Sequence, residues 1–333
     1  MKRPDQKKPQ VSREKLLLQG FVVLILLFGS TSMASAWTCV YVSSYHKGYA
    51  WSDGVERGLR AELDGQCNLI QFDLDTKRNK SESYKIRKSR EVAKEIRKIK
   101  PDVLITSDDN AAKYLVVPYF KGGKLPVVFS GINWTVEEYG FPAANVTGMV
   151  EVAPIRPMLM WAQRLTGRGS RGFYLGANTL TETKNLKQLV KVAEDLGINI
   201  SSALVDTNEA WQSAFKESGN ADFIILGSTA GIDDWDEKTI VSFVTENAAK
   251  LILTNDDWML PFSMLGFVKI PQEQGQWAAK TAIAIHQGTP IQRIPVVANR
   301  KWDIYENTTL MRIAGFKNSE ILRARAKKFR QGL

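Results

Sequence analysis

Lys100-Pro101-Asp102-Val103-Leu104-Ile105-Thr106-Ser107-Asp108-Asp109-Asn110 decides how this chain folds. A Pro-Asp start, four apolar or β-branched residues and an abrupt polar end describe a short strand buried on both faces, which is the habit of parallel sheets. The helical spacing that follows over 110–120 makes it half of a β-α unit. Five more apolar runs end the same way, in Ser43-Ser44-Tyr45, Ser130-Gly131-Ile132-Asn133, Gly176-Ala177-Asn178-Thr179, Gly227-Ser228-Thr229-Ala230-Gly231 and Asn255-Asp256-Asp257-Trp258. In open α/β sheets a ligand binds beyond the carboxyl ends of the strands, where free amides and helix N-termini converge. The clusters therefore mark where a ligand is expected before they say which one.

Strands are expected at about 38–45, 67–74, 102–107, 126–130, 171–176, 199–205, 222–228 and 250–255, with helices at 52–63, 110–120, 154–165, 182–196, 208–216, 236–248 and 272–287. This alternation predicts an α/β fold of doubly wound parallel sheets. About 300 residues beyond the N-terminal segment exceed what one core usually serves, so two lobes joined by a hinge are expected. The expected division is 1–36 as a signal peptide, 37–148 as the first lobe, 149–264 as the second, 265–300 as a return to the first, and 301–333 as a C-terminal segment assigned to neither. The crossovers fall near Asn145-Val146-Thr147-Gly148 and over 262–267.

Residues 1–15 are polar and basic, 16–29 are apolar but for Gln19-Gly20, and Ala34-Ser35-Ala36 puts small residues at −3 and −1 of a cleavage site. That order is a secretory signal, with an uncleaved anchor as the alternative, and it predicts a periplasmic protein. The segment carries +4 of the chain's net charge of +10. The remaining excess is modest and gives no argument for nucleic acid. Much of it lies on Arg87, Lys88, Arg90, Lys94, Arg97 and Lys98, read as the solvated face of an amphipathic helix. Cys39 and Cys67 open the first two strands, and in an oxidising compartment they are either a disulfide or two buried thiols.

The two histidines, His46 and His286, stand far apart, and there is no Cys-x-x-Cys or His-x-x-His spacing, so no metal site is expected. Gly122-Gly123-Lys124 lacks the rest of a Walker loop, and Ser228 is misplaced for a nucleophile elbow. No cofactor and no catalysis are expected.

The strand-end clusters supply the candidate ligand contacts: Ser44, Tyr45, Trp51, Asp108, Asn110, Asn133, Glu151, Asn178, Thr179, Ser228, Thr229, Asp256, Asp257 and Trp258. Asp108, Glu151, Asp256 and Asp257 suit a ligand ammonium, and Thr179, Ser228, Thr229 or nearby amides suit a carboxylate. Tyr45, Tyr49, Trp51, Trp134 and Trp258 are candidate walls. The plain alternative for each Asp or Asn is a helix cap, and for each aromatic, core packing.

Lys100 through Thr106, Leu125-Pro126-Val127-Val128-Phe129-Ser130, Ala144 through Gly148, Gly275-Gln276-Trp277-Ala278-Ala279-Lys280 and Ile294-Pro295-Val296 resemble the ABC transporter substrate-binding protein family with the type 1 periplasmic binding fold. The resemblance implies capture of a small solute between two lobes, an amino acid or other amine-bearing metabolite among the candidates. It also implies ABC permease and ATPase subunits as partners and a monomer as the working state. Ser44 through Trp51 and Asp257 through Phe262 resemble a branch whose binding modules also precede sensor kinases. No kinase motif follows before Leu333, so the expectation is a free receptor, with a ligand-presenting subunit of a two-component signalling system as the alternative. A secreted hydrolase on the same fold is the alternative from another class.

Overall fold

The computed structural model describes Met1 and residues 37–167, 169–316 and 320–329. The expected signal peptide lies outside the described residues. From Trp37 onward the chain is one compact unit with two sheets, which define two lobes.

The first lobe begins with β1 (Trp37–Ser43), α1 (Ala50–Leu63), β2 (Cys67–Asp73), α2 (Glu82–Ile99) and β3 (Val103–Ser107). A helical run in three pieces follows, Asp108–Ala111, Ala112–Val116 and Val117–Tyr119, together α3, and then β4 (Val127–Asn133) and β5 (Val146–Glu151). The second lobe holds α4 (Ile155–Leu165), β6 (Arg171–Ala177), α5 (Leu180–Asp195), β7 (Asn199–Val205), α6 (Asn208–Glu217), β8 (Phe223–Leu226), α7 (Glu237–Asn247), β9 (Leu251–Thr254) and β10 (Leu265–Lys269). The chain then returns to the first lobe as α8 (Pro271–His286) and β11 (Val297–Ala298). It ends in the second as β12 (Trp302–Asn307), α9 (Thr308–Ile313), α10 (Glu320–Arg325) and β13 (Lys327–Phe329).

The first sheet runs β11-β5-β4-β3-β1-β2, all parallel. The second runs β13-β12-β10-β9-β8-β6-β7, parallel except where β10 meets β12. Helices cover both faces of each sheet, as the two-sided burial of β3, β8 and β9 requires.

Three details differ from the sequence reading. Residues 146–151 are not a crossover but β5, paired with β4, so the chain leaves the first lobe at 152–154 and Glu151 ends a first-lobe strand. Residues 265–269 are not the start of the return but β10, paired with β9 and β12, so the return begins at Pro271. The C-terminal segment, left unassigned, adds β12 and β13 to the second sheet. Short strands bounded by Gly and polar residues carry little periodic signal, and long-range pairing decides them.

The return segment is packed tightly. A Cβ added at Gly275 of α8 would lie 2.0 Å from the Val55 carbonyl oxygen of α1, and one at Gly58 of α1 would lie 2.2 Å from that of Gln272. The helix backbones touch there, which only glycine permits. Cys39 and Cys67 form a disulfide between β1 and β2, with Cα atoms 6.1 Å apart.

Candidate functional site

The carboxyl ends of both sheets face one cleft. From the first lobe come Tyr45 and Tyr49 after β1, Trp51 at the head of α1, Asp108 and Asp109 after β3, Asn133 and Trp134 at the end of β4, and Glu151 at the end of β5. From the second come Thr179 and Glu182 at the head of α5, Ser228 and Thr229 after β8, Asp256 after β9 and Lys269 at the end of β10.

The floor is an ion triad across the hinge. Lys269 is 5% exposed; its ammonium lies 2.6 Å from Glu151 of the other lobe, 3.2 Å from Asp256 of its own, and 5.4 Å from the Trp51 ring centroid. Burial works to lower the pKa of Lys269, but Asp256 and Glu151 overcome it and hold the lysine charged above its ordinary range. Burial raises Glu151, opposed by the same lysine.

Beside the triad sits Asp108, 2% exposed and at a φ of 69° that a non-glycine residue rarely adopts. Among the described residues its Oδ2 has no hydrogen-bond partner, and neither do the indole nitrogens of Trp51 and Trp258. Asp108 Oδ1 and Trp51 Nε1 lie against one point above Gly131, 3.3 and 3.4 Å from where its Cβ would be. Burial first, then Glu151 and Asp109, push the Asp108 carboxyl well above the usual carboxylate range. Tyr49 lies 4.9 Å from the ring of Tyr45 and 5.6 Å from that of Trp258, and burial first, then the charges of Asp256 and Asp108, raise its pKa. The arrangement can hold an ammonium: a buried acceptor, aromatic faces, and two N–H groups for a neighbouring acceptor.

Other candidates have structural partners. Ser44 Oγ donates to the Ser107 carbonyl (2.6 Å) and accepts from the Ala111 amide (2.8 Å), stapling two strand ends. Asn133 donates through its amide and side chain to Asp109, which also accepts from Tyr139 Oη. Asn110 Nδ2 donates to Thr76 (2.8 Å), and Asn178 Nδ2 to Asp206 (3.3 Å). Thr179 caps α5 by accepting from the Glu182 amide. Ser228 Oγ accepts from the Ala230 amide, and the Thr229 hydroxyl faces Met259 Sδ. Asp257 is exposed and accepts from the Trp258 amide, so it behaves as a turn residue; Asp256 is the acid that enters the cleft.

Sequence reasoning overlooked Lys269, Lys77, Lys184 and Glu182. Lys269 left a trace, a lone charge ending the apolar run Leu265-Gly266-Phe267-Val268. Lys77 and Lys184 left no such trace. In the structure the Lys77 ammonium lies 4.8 Å from the Tyr45 centroid and donates to the Ala230 carbonyl across the cleft. Lys184 of α5 reaches Asp109 (2.5 Å) and Glu138 of the first lobe. Trp134 Nε1 also spans the lobes, donating to Asn185 (2.9 Å).

Glu182 is wholly buried in the second lobe. It accepts from Tyr174 Oη (2.5 Å), the Ser228 amide (3.0 Å) and Asn185 Nδ2 (3.1 Å). Burial, helped by Asp256, pushes its carboxyl up to about 7. The unfolded chain then loses this proton near its ordinary value while the folded chain keeps it, so stability falls as pH rises through that window. Glu182→Gln is expected to remove that part of the slope, on the order of 1–3 kcal/mol. Urea unfolding of both proteins at pH 5 and pH 7.5 reads it; parallel pH dependences would contradict the assignment.

No protein-family model matches the sequence, and no curated protein matches it. Solved structures do. An ABC domain from Streptococcus pneumonia in complex with L-Trp superposes at TM-score 0.69 with 16% identity, over 88% of this chain and 99% of that one. A ligand-free, open substrate-binding protein with adhesive properties from Clostridium difficile gives 0.69 at 10% identity, over 89% and 100%. A periplasmic sugar-binding protein of an ABC transporter from Legionella pneumophila gives 0.56 at 12%, over 79% and 98%. The fold is that of the type 1 periplasmic binding proteins. Their two-lobed architecture accounts for the strand ends of both sheets meeting at one cleft, and it agrees with the fold expected from the sequence.

Proposed function

We propose that this chain is a periplasmic solute-binding protein that captures an amine-bearing small molecule, an amino acid among the candidates, between its lobes for an ABC importer. The observation that carries the reading is the buried Asp108 carboxylate oxygen beside the Trp51 indole N–H, both without a hydrogen-bond partner among the described residues. Leaving a buried polar group without a partner costs about 1–3 kcal/mol, and a charged group more, so a site that keeps several together is built for something that satisfies them.

Three chain crossings beside the Lys269 triad give a hinge on which the lobes can close. Among the described residues no helix is long and apolar enough to cross a membrane. The test is mass spectrometry of what co-purifies with the mature protein, followed by small-angle scattering with that solute removed and restored. An amine-bearing solute that makes the particle more compact supports the reading. A solute without an amine, or binding that Trp51→Ala leaves intact, overturns it.

A further inference from the structure

Outside the aromatic layer the cleft opens into a cavity of about 330 Å³ whose chemistry is the reverse of the floor. Its first-lobe wall presents the ammonium groups of Lys77, Lys80, Lys85 and Lys113. Two carboxylates stand on the wall against these four lysines: Asp109 is held by Lys184, Tyr139 and Asn133, and Glu82 accepts from Tyr114 Oη (2.7 Å) while its charge favours Lys85 and Lys113. Lys80 pairs with Asp233 of the other lobe. Lys85 and Lys113 make no ion pair among the described residues; both ammonium groups flank the Tyr114 ring, 5.7 and 4.9 Å from its centroid.

Among the lining residues Glu82 is the carboxylate whose charge favours both lysines, which leaves two cations against one anion beside that ring. Burial lowers the pKa of Lys85, opposed by Glu82 and helped by the charge of Lys113, while Tyr114 holds Lys113 above its ordinary value. The opposite wall is the start of α5, Thr179-Leu180-Thr181, so the N-terminal end of a 16-residue helix looks onto the same cavity.

The geometry points to an oxyanion subsite in this cavity, formed by Lys85, Lys113 and the N-terminus of α5, that takes a carboxylate or phosphate group of the solute. This rests on the reading above and extends it: the solute is zwitterionic, its amine at Asp108 and its oxyanion outboard. Lys77 lines the cavity and also lies against the Tyr45 and Tyr49 rings, so the two subsites adjoin.

The test uses inorganic phosphate and succinate as probes on the whole mature protein, with thermal unfolding read against chloride at matched ionic strength. The wild type is expected to melt higher with at least one probe, and which one responds tells a phosphate site from a carboxylate site. Lys85→Gln/Lys113→Gln is expected to lose most of that shift. The charge-matched control Lys94→Gln/Lys187→Gln, two exposed lysines away from the cavity, is expected to keep it. No shift with either probe, or a shift that survives in the Lys85/Lys113 variant, overturns the subsite. Asp108→Asn in the same assay is expected to keep the shift, so loss of amine capture in that variant and loss of anion binding in the lysine variant are read separately.

Discussion

Asp108→Asn is expected to weaken capture of an amine-bearing solute by on the order of tenfold to more than a hundredfold, and at the same time to make the solute-free protein more stable above neutral pH. Both effects have one cause. A charge-assisted hydrogen bond contributes about 1.5–3 kcal/mol, and Asn keeps the shape of Asp108 but not the charge. With no solute bound, burial, Glu151 and Asp109 raise the pKa of Asp108 against the opposing Lys77 and Ser107, and its Oδ2 has no hydrogen-bond partner among the described residues. A carboxyl whose pKa is raised by folding holds a proton that the unfolded chain has lost, so its cost to stability grows as pH rises toward the raised value. An incoming ammonium displaces that proton, and wild-type affinity should therefore increase with pH while the Asn variant's does not. Calorimetric titration with the co-purified solute at pH 6 and pH 8, with a melting curve for each protein, measures all of this. If the variant binds normally but melts earlier, Asp108 serves the start of α3 and the amine subsite lies elsewhere.

Lys269→Met is expected to be the most damaging single change to stability. It removes the only ammonium within ion-pair distance of Glu151 and Asp256 among the described residues, and both acids are nearly inaccessible. Breaking a buried pair from one side costs about 3–5 kcal/mol because the remaining charge is neither paired nor solvated. Since Glu151 ends a first-lobe strand and Lys269 a second-lobe strand, the loss also loosens the hinge. Adding Glu151→Gln and Asp256→Asn to Lys269→Met should restore much of the stability. Denaturant unfolding of the single and triple variants checks this, and a cost below about 1 kcal/mol for the single change would mean that water reaches the triad.

How much of this was legible in the chain differs between fold and site. The run through Asp102-Val103-Leu104-Ile105-Thr106-Ser107 and the repeats of its pattern were enough for parallel sheets with helices on both faces, because strand burial and helix spacing are local properties of sequence. They did not reveal β5 and β10, whose assignment comes from partners far along the chain, Met149 with Val297 and Leu265 with both Leu253 and Glu306. They brought Trp51, Asp108, Glu151 and Asp256 to notice, yet could not separate Asp256, which enters the cleft, from its neighbour Asp257, which faces solvent.

The charges that set the character of the site were hidden for a related reason. Lys77, Lys184 and Glu182 stand in stretches that read as solvated surface, and Lys269 closes a strand that could have ended anywhere. Periodicity reports whether a residue faces its own sheet or helix. It carries no information about the other lobe, and the partners of Lys184 and Lys269, with Asp109 and Glu151, are set only when two separately folded sheets face each other across three crossings. Local pattern along the chain was sufficient for the two-lobed α/β fold. The tertiary structure alone decided which acids are paired, which one is left without a partner, and where the unpaired lysines gather, because burial and Coulomb interactions depend on distance in space rather than along the chain.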